Sequence, residues 1–211
     1  MTNESRIRPP QVASWLVSLF ASAKDETLQG DLLEEFSLLA SNSGASVAQR
    51  WYWRQTLRSI VHLFVSEFRA APWSTAAIVV AGFFLTKILF PLPEKAIFAV
   101  IEKYRIFDSH FDLYVFFAGD GIALSHVITS MLVGCSVALA ARRKEMIATG
   151  ALALMFCGMT ALASLVWIAR GNTSMLWSTL PWNFADWIAM LSAAAVIRTL
   201  RSPETHLASS A

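Results

Sequence analysis

Four long apolar segments constrain this chain more than any other feature of it. They occupy about residues 73–90, 119–141, 146–169 and 180–200, each close to the ~20 residues a helix needs to cross the hydrocarbon of a bilayer. Backbone amides find no water there, so a segment of this length in lipid is a helix. Hydrophobic residues make up 55% of the 211-residue chain and charged residues 15%, too apolar a balance for an ordinary soluble domain. The net charge of +2 excludes the polycation that nucleic-acid binding requires, so no nucleic-acid partner is expected.

The first seventy residues have a different composition, with seven basic and seven acidic side chains. Arg6 and Arg8, then Val12 to Phe20, then Ala21-Ser22-Ala23 imitate a signal peptide. However, Val12, Trp15, Leu16, Leu19 and Phe20 fall on one helical face behind Pro9-Pro10, which argues for an amphipathic helix from Gln11 to Ala21. A second helix is expected from an Asp25 N-cap to Ser41, with Leu28, Leu32, Phe36 and Leu39 facing inward and Leu33 and Ala40 flanking. Asn42-Ser43-Gly44 breaks the pattern. A third helix runs from Ser46 to Arg69 with Val47, Trp51, Leu57, Val61, Phe64, Val65 and Phe68 as its apolar positions.

The fold class is therefore all-α: a small cytoplasmic three-helix module in residues 1–70, followed by a four-helix transmembrane bundle in residues 71–211. Pro91-Leu92-Pro93 closes the first span, and Glu94 to Tyr104 reads as a mildly amphipathic piece at the interface. Arg142-Arg143-Lys144 forms a tight turn between the second and third spans. Basic residues near the spans set the orientation. Arg50, Arg54, Arg58, Arg69, Arg142, Arg143, Lys144, Arg198 and Arg201 collect on one side, against Lys87, Lys95, Lys103, Arg105 and Arg170 on the other. Nine against five places both termini in the cytoplasm.

The polar stretch carries three ordered elements: Pro9-Pro10 before a tryptophan-bearing helix, Gly30-Asp31-Leu32-Leu33-Glu34-Glu35-Phe36, and Arg50-Trp51-Tyr52-Trp53-Arg54-Gln55 followed by Arg58-Ser59. Across residues 8–70 they resemble the permease prefix domain, the N-terminal module of acidobacterial duplicated orphan ABC-type permeases. In those permeases the prefix precedes transmembrane helices and large extracytoplasmic domains; here it precedes four spans. The resemblance implies a bacterial cytoplasmic membrane setting and a permease component or regulator as partner. It carries neither transport nor catalytic residues across.

Several residues stand out as site candidates. Arg50, Arg54, Arg58 and His62 recur every four residues and form one stripe. They either contact anionic membrane lipid or pair with Asp31, Glu34 and Glu35 of the second helix. The pairing reading is preferred, with Glu35 and Arg54 partly buried beneath Trp51 or Trp53. Trp51, Tyr52 and Trp53 cannot share one face, so at least one leaves the core.

Gly119-Asp120-Gly121 invites comparison with intramembrane aspartyl proteases, which need a second facing carboxylate. Asp186 stands in an unrelated context, so Asp120 and Asp186 read instead as interfacial, able to pair with Arg170. His126 is the imidazole at membrane depth and a functional candidate for that reason. It reads as a neutral side chain hydrogen-bonded across the bundle, with Thr129 and Ser130 as polar neighbours. Cys135 and Cys157 read as small packing residues rather than a disulfide or metal site.

Small residues at every fourth position form close-packing seams, by which the helices associate with each other or with a second copy of the chain: Ser130, Gly134 and Ala138; Ala153, Cys157 and Ala161; Ala185, Ala189 and Ala193. No cofactor loop, metal cluster or catalytic constellation is visible in the sequence. The expected function is a non-enzymatic membrane-anchored interaction or regulatory module. The alternative is a small transporter or transporter subunit with a polar path near His126.

Overall fold

The computed structural model describes residues 8–20, 26–171 and 173–201, and every regular element among them is helical. Asp25, expected as an N-cap, the run Ala21-Ser22-Ala23, and the side chains of Leu28 and Arg143 lie outside the described residues. The chain forms two compact units, Met1–Pro72 and Trp73–Ala211.

The first unit holds α1 (Gln11–Phe20), α2 (Glu26–Ser43) and α3 (Ala45–Ala70). Gly44 alone separates α2 from α3, at φ +87°, a backbone setting that costs glycine little. Both α1 and α2 dock on α3 and scarcely touch each other. The core is Ala13, Val17, Leu32, Phe36, Ala40, Ala48 and Tyr52, with Leu39 and Trp51 packed against it. Tyr52 is 0% exposed, and its ring meets Phe36 edge-on at 5.6 Å. A buried phenol needs a polar partner, and Tyr52 shares a 2.9 Å hydrogen bond with Ser14 Oγ.

That bond corrects the expected face of α1. Leu19 is buried as anticipated, but Ala13 and Val17 are buried as well, while Val12 and Trp15 are exposed. The helix is turned by close to one residue, ~100°, bringing Ser14 to the tyrosine.

The face of α3 is corrected too. Its buried positions are Ala48, Tyr52 and Thr56, whereas Val47, Leu57, Val61 and Val65 are exposed. Length explains this. At ~1.5 Å per residue, α1 spans about 15 Å, α2 about 27 Å and α3 about 39 Å. The C-terminal part of α3 outruns the helices that cover its beginning.

The second unit comprises α4 (Pro72–Leu89), α5 (Pro91–Lys103), the short α6 (Ile106–Ser109) and α7 (Phe111–Phe116). A π-helical turn, Phe117–Gly121, leads into α8 (Ile122–Ala141). A 3-10 turn at Arg142–Lys144 then leads to α9 (Glu145–Ala169), followed by α10 (Ser174–Arg201). Four stretches are long and apolar enough to cross a membrane: Pro72–Lys103, Phe111–Ala141, Glu145–Ala169 and Leu176–Arg201.

Three boundaries differ from expectation, the second span beginning at Phe111 rather than near Gly119. Pro91 does not end the first span, because Phe90 keeps helical dihedrals (φ −57°, ψ −42°) and its N–H still reaches Thr86 O at 2.9 Å. Proline is tolerated in the first turn of α5, although its missing N–H leaves Lys87 O without a helical donor. The last helix starts at Ser174 rather than near Leu180, with Pro181 inside it.

The bundle core is Val133, Val137, Ala141, Ala148, Leu152 and Met190, covered by Ile78, Val79, Phe83, Leu85 and Leu89 of α4. The small-residue seam of α8 holds as a packing surface. Ser130, Gly134 and Ala138 are all buried, and a Cβ on Gly134 would stand 2.5 Å from the carbonyl oxygen of Met190. The seam of α9 is covered less, since Ala153 is buried, Cys157 half-buried and Ala161 exposed.

Candidate functional site

The charged side chains expected to pair between α2 and α3 do not meet. Asp31, Glu34 and Glu35 on α2 and Arg50, Arg54 and Arg58 on α3 are all exposed. No ion pair joins the two sets among the described residues. Arg50 Nε donates to Ser46 O of its own helix at 3.4 Å.

The expected buried pair of Glu35 with Arg54 is therefore corrected, and helix phase gives the reason. Arg54 lies two residues past the buried Tyr52, ~200° around α3 and so on its far side; Glu35 precedes the buried Phe36 by ~100°. The three aromatic residues divide as their adjacency requires: Tyr52 is in the core, Trp51 is half-buried against it, and Trp53 is exposed. The outer surface of this unit thus combines an acidic α2 with a basic α3.

Inside the bundle, His126, Ser130 and Asp186 form a polar layer between α8 and α10. Ser130 Oγ donates to Asp186 Oδ1 at 3.0 Å. The expected pairing of Asp186 with Arg170 is corrected: α10 begins at Ser174, which carries Asp186 ~18 Å along the helix, too deep for an interfacial partner. Arg170 is exposed. Asp120 is exposed in the π-helical turn. It stands ten residues, ~15 Å of helix, before the serine that holds Asp186, so the two carboxylates do not face each other as a protease dyad would need.

His126 does not make the expected cross-bundle hydrogen bond. Its Nε2 is buried without a partner, and its ring stacks on Phe90 at 4.8 Å and 15°. The neighbouring hydroxyls are used locally, Ser125 Oγ donating to Ile122 O at 2.6 Å and Thr129 Oγ1 to Ser125 O at 2.8 Å. Toward Arg201 the buried side chains of α8 and α10 are apolar, namely Val133, Val137, Met190, Ala193 and Ala194, while α9 contributes the buried Thr149 and Glu145.

Sequence reading missed Glu145 and Arg201. Arg201 Nη1 meets Glu145 Oε1 at 3.0 Å and also donates to Arg142 O at 3.2 Å. Both residues end spans next to the Arg142–Lys144 turn, which was the available signal. Among the described residues no group of three or more His, Cys, Asp or Glu could hold a metal ion. Cys135 and Cys157 are free thiols, both half-buried.

No protein-family model matches the chain, and comparison finds no similar characterised protein and no similar solved structure.

Proposed function

We propose that this chain is a non-enzymatic, membrane-anchored interaction module of a bacterial cytoplasmic membrane. Its four spans are the anchor, and the α1–α3 unit, on the cytoplasmic side with both termini, is the interacting part. The single observation that carries this reading is the separation of charge on the first unit. Asp31, Glu34 and Glu35 are exposed and unpaired with the arginines of α3, although opposite charges a helix apart would otherwise close the bundle. Exposed Leu33 and Leu38 lie on the same helix, and Val12 and Trp15 are exposed on α1. Apolar anchors among charges suit a protein partner. The resemblance of residues 8–70 to the permease prefix domain makes a permease component or its regulator the partner of choice.

The second reading, a small transporter or transporter subunit, draws on the unpartnered Nε2 of His126. The local hydrogen bonds of Ser125 and Thr129 and the apolar side chains of α8 and α10 beyond Ser130 favour the anchor.

The test is site-specific photocrosslinking of the full chain in native membranes, with the probe at Leu38. One discrete adduct is expected, and Glu34→Lys with Glu35→Lys should abolish it. An adduct indifferent to those changes, or none at all, overturns the reading. For the orientation, Ser43→Cys should stay protected from an impermeant thiol reagent in intact cells while Thr173→Cys labels.

A further inference from the structure

We infer that the C-terminal half of α3 is a lipid-docking helix, laid against the headgroup layer of an anionic bilayer. From Thr56 onward α3 has outrun α1 and α2, yet it remains apolar on one side. Leu57, Val61 and Val65 repeat at four-residue spacing and are 56%, 63% and 39% exposed, with Trp53 one turn before them, also exposed. Four bulky apolar side chains in a row have no soluble reason to face water.

Charge decides the occupant. Arg50, Arg54 and Arg58 run beside the apolar row, each about one residue away from it around the helix, and all three are exposed. Between Arg50 and Arg69 the sole carboxylate of α3 is Glu67, which projects ~180° from Arg58. An apolar stripe bordered by guanidiniums on long stems, with no acid beside it, matches an interfacial helix. The stems let the charges reach phosphate while the stripe enters the acyl boundary.

Connectivity adds to this. Ala71 is the one residue between α3 and α4, and α4 opens a candidate span. Docking is therefore intramolecular, so even a modest affinity keeps the stripe on the lipid. Each arginine removed should shift the docked-to-free ratio by about fivefold.

The inference is independent of the α2 partner, and its test uses purified full-length protein so that the two can fail separately. Val61→Cys, in a Cys135→Ala and Cys157→Ala background, carries a spin label in lipid nanodiscs. In nanodiscs with one third phosphatidylglycerol the label should be broadened more by oxygen than by an aqueous nickel chelate. The order should reverse in pure phosphatidylcholine, and also when Arg50, Arg54 and Arg58 are all changed to Gln. Because those guanidiniums are exposed, that variant should keep the near-ultraviolet signal of Tyr52 and Trp51, which separates undocking from unfolding. A label that meets the nickel chelate equally in every lipid overturns the inference. So does a label shielded from both reagents, which would mean that a second copy or another protein covers the stripe.

Discussion

The guanidinium of Arg201, at the end of α10, binds the carboxylate of Glu145 at the start of α9 and the last carbonyls of α8 at once. Nη1 lies 3.0 Å from Glu145 Oε1, and Nη2 donates to Leu139 O at 3.2 Å. Those carbonyls have no partner within their own helix, so a cation there also complements the helix dipole. The side chain of Glu145 is 6% exposed and that of Arg201 39%. Removing the arginine leaves the buried carboxylate with the Arg198 charge as a remaining cationic neighbour, and exposure on the arginine side tempers the loss further. Arg201→Ala is expected to destabilise the bundle by ~1–3 kcal/mol, and Glu145→Gln by less. Thermal unfolding in detergent, completed as a double-mutant cycle, measures the coupling.

Gly134 sets how closely α8 and α10 approach. A methyl group there would lie 2.5 Å from Met190 O and 2.8 Å from Met190 Cα, and backbone cannot move aside as a side-chain tip can. Gly134→Ala should cost ~1–3 kcal/mol. Gly158→Ala, where nothing stands within 4 Å, should be neutral or stabilising by up to ~1 kcal/mol through helix propensity. Equal effects at the two sites would show that α8 and α10 do not cross this closely.

The imidazole of His126 contributes a stacked ring and an unsatisfied nitrogen. His126→Phe keeps the first and removes the second, so it should raise stability by roughly 1 kcal/mol. Ser130→Ala should lower it by about 0.5–2 kcal/mol through loss of the bond to Asp186. If His126→Phe destabilises instead, the histidine has a partner and the polar layer needs reassignment.

Tyr52 holds the first unit from both sides, ring against Phe36 and hydroxyl against Ser14. Tyr52→Phe should cost about 1 kcal/mol. Tyr52→Ala should cost ~3–5 kcal/mol, enough to open a core this small. Limited proteolysis of the full chain within α2 and α3 would report the opening, with Trp53→Ala, an exposed neighbour, as the insensitive control.

The spans were legible because bilayer crossing demands length and apolarity, both written along the chain; α9 begins and ends where its pattern does. The faces of α1 and α3 were not. Apolarity ranks Val12 and Trp15 above Ala13, and Val61 above Thr56. The three-helix core instead selects small residues where α3 receives α1 and one phenol that needs Ser14. The start of α10 was hidden by the polar residues Ser174, Ser178 and Thr179 and by Pro181, which a helix accepts only in a tertiary setting. The Arg201–Glu145 contact joins residues that are far apart in sequence, and the one hint of it is that both stand at span ends beside the Arg142–Lys144 turn.

The close succession of α4 and α5, joined at Phe90 alone, also bears on which bilayers suit this protein. Pro72–Lys103 is a 32-residue rod, ~48 Å long at ~1.5 Å per residue, against a hydrocarbon thickness of ~30 Å. Glu94 and Lys95, both exposed, mark the depth at which its lipid-compatible length runs out. A thicker membrane drags those charges inward and a thinner one forces the rod to lean, so hydrophobic mismatch gives the chain a preference for one membrane thickness.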